Sequence, residues 1–271
     1  MINFIKVLYL GLFFIAFACT AMVAQVQNGF ENYVHTPQFG NFDNINEKGD
    51  LAIQVASGGL INSLFPSVRI SMSPIDRFGA GLNYFTFTSS NSNSEIQTTK
   101  AYVASGDIFY YGELSNSEKL RTTYRLGAGY GFGTVQRLYS ESRNSGEANL
   151  GIQRFVLESG LMARLNKVGF GIGLRVKYFN FSNKFGFGDV SRQESERLDY
   201  LVATAPVFLF DVNTRFEFGG DIGRLFISWD QTVNKIKDED EMVPGYLNKS
   251  SIHLGFYILL NKAINKKNKE K

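Results

Sequence analysis

From Leu120 to Leu138 the chain alternates with period two. Even positions carry Leu120, Tyr124, Leu126, Tyr130, Phe132 and Leu138, and odd positions carry Arg121, Arg125, Gly127, Gly129, Gly131, Gly133 and Arg137. Successive side chains of a strand point to opposite faces, so this stretch reads as one strand with an apolar face and a face of glycine and arginine. The split recurs. Val168, Phe170, Ile172, Leu174, Val176 and Tyr178 oppose Gly169, Gly171, Gly173, Arg175 and Lys177. Phe208, Phe210, Val212, Phe216 and Phe218 oppose Asp211, Asn213, Arg215 and Glu217, and Phe155, Leu157, Leu161 and Leu165 oppose Arg154, Glu158 and Arg164.

Ten such segments can be drawn, at about 49–59, 66–74, 77–88, 100–113, 119–139, 149–165, 168–181, 200–218, 222–234 and 249–261. Their connections alternate in length. Those after even segments are short, and those near 89–99, 140–148, 182–199 and 235–248 are long and polar; only the first, 60–65, breaks the rule by being short and apolar. This rhythm predicts an all-β fold: a closed antiparallel up-and-down transmembrane β-barrel of about ten strands, within a range of roughly eight to twelve. Short turns then face the periplasm and long loops face outward. An even strand count returns both termini to the periplasm of a bacterial outer membrane.

The chemistry of the faces decides which is outside. A small barrel interior has little room for so many rings, whereas glycines and mixed charges suit a narrow lumen. The apolar face is therefore expected to meet lipid, with Tyr102, Tyr110, Tyr124, Tyr139, Tyr178 and Trp229 as interfacial aromatics. Arg69, Asp107, Arg121, Arg125, Arg154, Glu158, Arg164, Arg175, Lys177, Asp211, Arg215, Glu217, Arg224 and Asp230 are expected to point inward. Because both signs are mixed, that set reads first as an ion-pair network bracing the wall and second as the lining of a narrow, weakly anion-favouring pore.

Composition supports strands over helices. Aromatic residues make up 14% of the 271 residues and there are 27 glycines, while the mean hydropathy is only −0.11. Beyond the N-terminus no run approaches the roughly 20 apolar residues of a membrane-spanning helix. The net charge of +3 is dispersed and excludes a nucleic-acid stripe. Its excess collects in Lys262, Lys266, Lys267, Lys269 and Lys271, a basic periplasmic tail over 262–271 expected to lie loose or against anionic lipid heads.

The N-terminus carries export information. Lys6 precedes an apolar run from Val7 to Ala18 and then small residues, the order of a cleaved signal peptide over 1–24. The single cysteine sits in Ala16-Phe17-Ala18-Cys19, which resembles the lipobox of bacterial lipoproteins. Cleavage before Cys19 would make it the lipidation site; cleavage near Ala24-Gln25 would remove it. Residues 25–48 form a lead-in to a barrel over 49–261.

Catalytic and cofactor chemistry is sparse. His253 shares a strand face with Ser251, the arrangement a lipid hydrolase could use, but no third residue is identifiable as an orienter and a space-filling role is preferred. His35 lies in the lead-in. Asp238, Glu239, Asp240 and Glu241 lack the glycine turn of a calcium loop and read as a solvated loop tip. The glycines of Gly127-Ala128-Gly129-Tyr130-Gly131 are followed by no helix, which removes a dinucleotide reading. No cofactor and no metal site is expected.

His253-Leu254-Gly255-Phe256-Tyr257-Ile258-Leu259-Leu260 resembles the terminal-strand signal read by barrel-insertion machinery. Three further segments, Thr36-Pro37 before Glu47-Lys48-Gly49-Asp50-Leu51, Ser73-Pro74-Ile75 turning into Phe78-Gly79, and Tyr124 to Gly133, follow in an order similar to that of an uncharacterised family of small outer-membrane β-barrel proteins and lipoproteins of Gram-negative bacteria. The resemblance runs from about Tyr33 to Lys262. It implies a barrel in the cell envelope and brings no activity with it. The expected role is non-enzymatic: structural, envelope-integrity or surface-interaction, with outer-membrane lipid as surroundings. The alternatives are a narrow solute channel, a lipid-modifying enzyme and a soluble lipocalin-like carrier.

Overall fold

The computed structural model describes residues 45–58, 63–90, 96–117, 120–140, 145–188, 199, 202–203, 205–233 and 250–269. The signal segment, Cys19, His35, most of the lead-in, Asp238 to Glu241 and most of the long connections lie outside them.

Ten strands form the wall: β1 Leu51–Gly58, β2 Ser63–Ile75, β3 Phe78–Ser90, β4 Ile96–Asn116, β5 Leu120–Ser140, β6 Ser145–Leu165, β7 Val168–Gly188, β8 Val207–Gly219, β9 Gly223–Thr232 and β10 Ser250–Leu259. Each pairs antiparallel with its neighbours in sequence, and β1 pairs with β10 from Ala52 opposite Leu259 to Gly58 opposite His253, closing the barrel. Closure leaves no strand edge, so every strand's backbone groups have a partner on both sides, the condition for crossing lipid as a sheet.

The apolar faces point outward. Ile70, Leu82, Ile108, Leu126, Phe132, Leu157, Leu174, Phe210, Leu225 and Leu254, from nine successive strands, are all exposed. This apolar area goes far beyond the few hundred Å² that a soluble monomer leaves uncovered. No helix among the described residues is long and apolar enough to cross a membrane, which says nothing of strands.

The wall is uneven in height. β4, β5, β6 and β7 each run 21 residues, roughly 70 Å of extended chain, whereas β1, β9 and β10 have 8, 10 and 10. Residues near 96–99, 145–148 and 182–188, expected in loops, are strand because neighbouring hairpins pair with each other beyond the apolar band. Polar contacts line that extension: Glu147 accepts a cross-strand bond from Gln136 (2.7 Å) and one along its own strand from Asn149 (2.5 Å). β8 starts at Val207 rather than near 200 because Pro206 has no N–H to give to a ladder.

The C-terminal strand ends at Leu259, and Leu260–Lys269 forms helix α1 rather than a loose tail. Its first turn is latched to the start of β1. Asn261 donates to Asp50 Oδ1 (3.1 Å) and accepts from the Leu51 N–H (3.3 Å), and Lys262 lies 3.6 Å from Glu47. Asp50 also accepts the N–H groups of Asn46 (2.9 Å) and Glu47 (3.0 Å). Asp50→Ala should therefore lower stability by about 1–2 kcal/mol. Limited proteolysis should then release α1 while β1 to β10 stay resistant; equal protection of α1 in the variant and the parent would contradict the latch.

Candidate functional site: the barrel interior

The interior is built by a small-opposite-large rule that the register imposes. Gly129 lies across from Asp107, Gly131 from Arg154, Gly127 from Glu158 and Gly171 from Arg215. A Cβ at Gly81 would come within 2.3 Å of the Arg69 guanidinium, and one at Gly131 within 2.9 Å of Arg154 Nε. Each glycine gives up the volume its neighbour's charged side chain occupies.

The buried charges join into runs that cross the lumen. Arg69 grips Asp107 with both terminal nitrogens (2.5 and 2.8 Å), and Arg125 reaches the same carboxylate at 2.5 Å and Glu158 at 3.1 Å. Arg175 stands 3.7 Å from both Glu158 and Asp211, whose carboxylate takes Lys177 at 2.6 Å and the Thr232 hydroxyl at 2.8 Å. One chain of alternating charge thus runs from β2 to β8, and the Thr232 hydroxyl ties it to β9. A second links Arg164, Glu217, Arg215 and Gln54 at 3.2, 2.9 and 3.0 Å. The Arg215 guanidinium also lies 3.7 Å above the Phe226 ring, and that of Arg125 lies 3.7 Å above Phe109, a cation–π arrangement.

The remaining charges make further contacts around these runs. Arg154 donates to Ser105 at 3.1 Å. Arg224 donates to the carbonyls of Gly220 (3.1 Å) and Asn166 (3.2 Å), tying two short turns together. Arg121 pairs with Glu113 at the rim, where it is 29% exposed, so it is the one member of the set outside the buried interior.

Asp230 accepts from Asn213 and lies 3.5 Å from His253 Nε2, opposite Ser251 in the β9–β10 register. This places a carboxylate beside the imidazole, a neighbour that the sequence did not reveal, because only register brings β9 and β10 side chains together. His253 is fully buried. The Ser251 side chain lies outside the described residues.

Charged layers are enclosed by apolar ones, which alternation alone did not show. Toward the long loops, Phe85, Val103, Val135, Leu150, Ile152, Phe179, Phe181 and Leu209 all turn inward and are buried, with Phe179 and Phe181 stacked at 6.1 Å. At the short-turn end, Ile45, Ala52, Phe109, Tyr111 and Leu259 cluster, and Tyr111 shares a 2.6 Å hydrogen bond with Ser73. Rings therefore occupy both faces of the wall, contrary to the expectation that the interior excludes them. The signal was present where alternation lapses, at Ile108-Phe109-Tyr110-Tyr111 and Tyr178-Phe179-Asn180-Phe181: there the inward positions are as apolar as the outward ones. Between Arg69, Asn83, Ser105, Asp107 and Glu158 a lumenal cavity of about 10 Å³ remains, room for about one water.

The outward aromatics fall at two levels. Tyr110 packs edge-on to Phe78 (5.1 Å) and near Tyr124 (6.0 Å) at the short-turn end. Tyr102, Trp229 and Tyr178, the last edge-on to Phe208 at 5.1 Å, lie in the long-loop half. The Tyr139 side chain is outside the described residues. No group of His, Cys, Asp and Glu among the described residues could hold a metal ion.

Architecture and site together define the class: a closed, ten-stranded, antiparallel barrel with an apolar exterior and, among the described residues, an interior of buried charges flanked by apolar side chains. No family model matches the chain, and no curated protein matches its sequence. Among solved structures it is similar to the outer-membrane protease OmpT of Escherichia coli at 9% identity, covering 78% of this chain and 94% of that one, with a TM-score of 0.35. It is also similar to an outer-membrane channel of Pseudomonas putida (11%, 87% and 100%, 0.37) and to the translocator domain of the autotransporter NalP of Neisseria meningitidis (10%, 79% and 90%, 0.38). At such identities and TM-scores these likenesses assign no function, and the fold rests on the strand pairing itself.

Asp107 holds two arginines at once, so Asp107→Asn strips both of their shared carboxylate. The expected loss is about 3–5 kcal/mol, the scale for breaking a buried pair from one side. The midpoint of urea unfolding should fall accordingly, followed by the mobility shift between folded and unfolded barrel on gels. A variant as stable as the parent would show that the network contributes nothing to the wall.

Proposed function

We propose that this chain is an outer-membrane β-barrel sealed to solutes, with a structural, envelope-integrity or surface-interaction role carried by its outer surfaces and long connections. The observation that carries this reading is the packing of the interior among the described residues: two apolar layers enclose a network of paired charges, and the cavity beside Arg69, Asp107 and Glu158 is of water size. A conduit needs a continuous polar path, and these layers interrupt one. The outward apolar band supports membrane placement. Both ends of the wall, at Leu51 and Leu259, lie beside the short turns, which favours a periplasmic position for both. Partners in this reading are outer-membrane lipid and, during biogenesis, the insertion machinery that reads the last strand.

Two measurements test it. The purified barrel in planar bilayers should give no unitary current steps at any applied voltage; regular steps would replace the sealed reading with a narrow channel. Carbonate washing of membranes should leave the protein in the pellet, and its release would contradict the transmembrane placement.

A lipid hydrolase at Ser251 and His253 gains one favourable observation, the carboxylate of Asp230 beside the imidazole. The burial of His253 inside the wall opposes it. Fatty-acid release from phospholipid or lipid A should be the same for the parent and for His253→Ala. Activity in the parent that vanishes in the variant would establish the enzyme instead.

A further inference from the structure

The outer wall carries a groove. On the side formed by β2 to β6, the small outward residues Ala80, Gly106 and Ala128 are set between Leu82, Ile108 and Tyr130, and the step in side-chain size leaves an apolar concavity of about 630 Å³. That volume falls within the range of small-molecule sites. Packing does not demand the glycine here. A Cβ on Gly106 would meet Leu82 Cδ2 at 3.5 Å and the Gly81 carbonyl oxygen at 3.8 Å, both ordinary contacts, so a side chain there displaces nothing.

One row nearer the short turns, polar groups stand at the mouth of this groove. Tyr110 follows Ile108 on the same face of β4, its ring 6.0 Å from that of Tyr124, and the Arg77 carbonyl accepts the Tyr111 N–H at 2.9 Å, which sets the β2–β3 turn beside it. The Tyr124 ring lies across Gly112, where a Cβ would come within 2.7 Å of it. Arg77 and Asp76 form the tip of the β2–β3 turn, both exposed and 3.9 Å apart. The tip thus presents one charge of each sign beside two phenols.

The backbone gives a second, independent pointer. Arg77 has a φ of 63°, and the comparable short turn between β6 and β7 places Asn166 at 52°. Asparagine is a residue that left-handed backbone favours; arginine is not. An unfavourable residue kept at an exposed turn points to a use for its side chain.

We infer that this face binds one phospholipid of the zwitterionic ethanolamine class from the leaflet at the short-turn end. Its phosphate sits on the Arg77 guanidinium and the Tyr110 and Tyr124 hydroxyls, its ammonium beside Asp76, and an acyl chain runs into the groove over Gly106. A guanidinium with neighbouring hydroxyls is a phosphate site, and the paired carboxylate complements the headgroup's other charge. The inference rests on the barrel spanning a membrane as proposed above.

The test is native mass spectrometry of the folded full-length barrel in non-ionic detergent, equilibrated with equal amounts of phosphatidylethanolamine, phosphatidylglycerol and diacylglycerol. The parent should retain a single phosphatidylethanolamine in preference to the others. Arg77→Asn suits the turn backbone better, so it should keep or raise thermal stability while weakening retention by about ten-fold. Gly106→Leu should weaken it similarly by filling the groove without touching the headgroup station. Retention of diacylglycerol equal to that of phosphatidylethanolamine, or full retention by both variants, would overturn the site. A carbonate-resistant parent that retains no lipid would overturn this inference alone, and a parent released by carbonate would overturn the membrane reading beneath it.

Discussion

Closure of the sheet is the constraint on which the rest of this molecule depends. Hydrocarbon offers no hydrogen bonds, so a sheet can span it only if β1 finds β10 and no edge is left. Ten strands set a small radius, and a small radius decides the interior. Facing side chains converge on a common axis, so a large residue on one strand requires a small one beside it. The glycine columns of β5 and β7 therefore serve the arginines and carboxylates of β4, β6 and β8, as Gly81 of β3 serves Arg69 of β2.

Once closed, the wall encloses charge that cannot be rehydrated. Mixed signs in alternating order, Arg69, Asp107, Arg125, Glu158, Arg175, Asp211 and Lys177, let each group repay part of its neighbour's desolvation. Among the described residues, buried apolar side chains flank those pairs toward both ends of the barrel.

The uneven height of the wall separates two environments on one sheet. The short side, β1 and β8 to β10, ends near the limit of the apolar band. The tall hairpins of β4 to β7 continue past it, where Gln136, Glu147 and Asn149 replace outward Leu and Phe. The groove over Gly106 and the Arg77 turn lie toward the opposite end of that tall side.

Strand number, the alternation of short and long connections and the direction of most side chains were determined by the sequence itself, because a period of two is a local property that hydrophobic patterning must obey. Tertiary structure decided who meets whom. Gln54 and Arg215 are 161 residues apart and bond across the lumen, and Asp230 reaches His253 only through the β9–β10 register. It likewise decided that Phe109, Tyr111, Phe179 and Phe181 turn inward, and that the lysine-rich tail winds into a helix held by Asp50 and Asn261. Alternation assigns a residue to a face. Only the closed barrel, with its stagger and its narrow radius, assigns that face a depth and a neighbour.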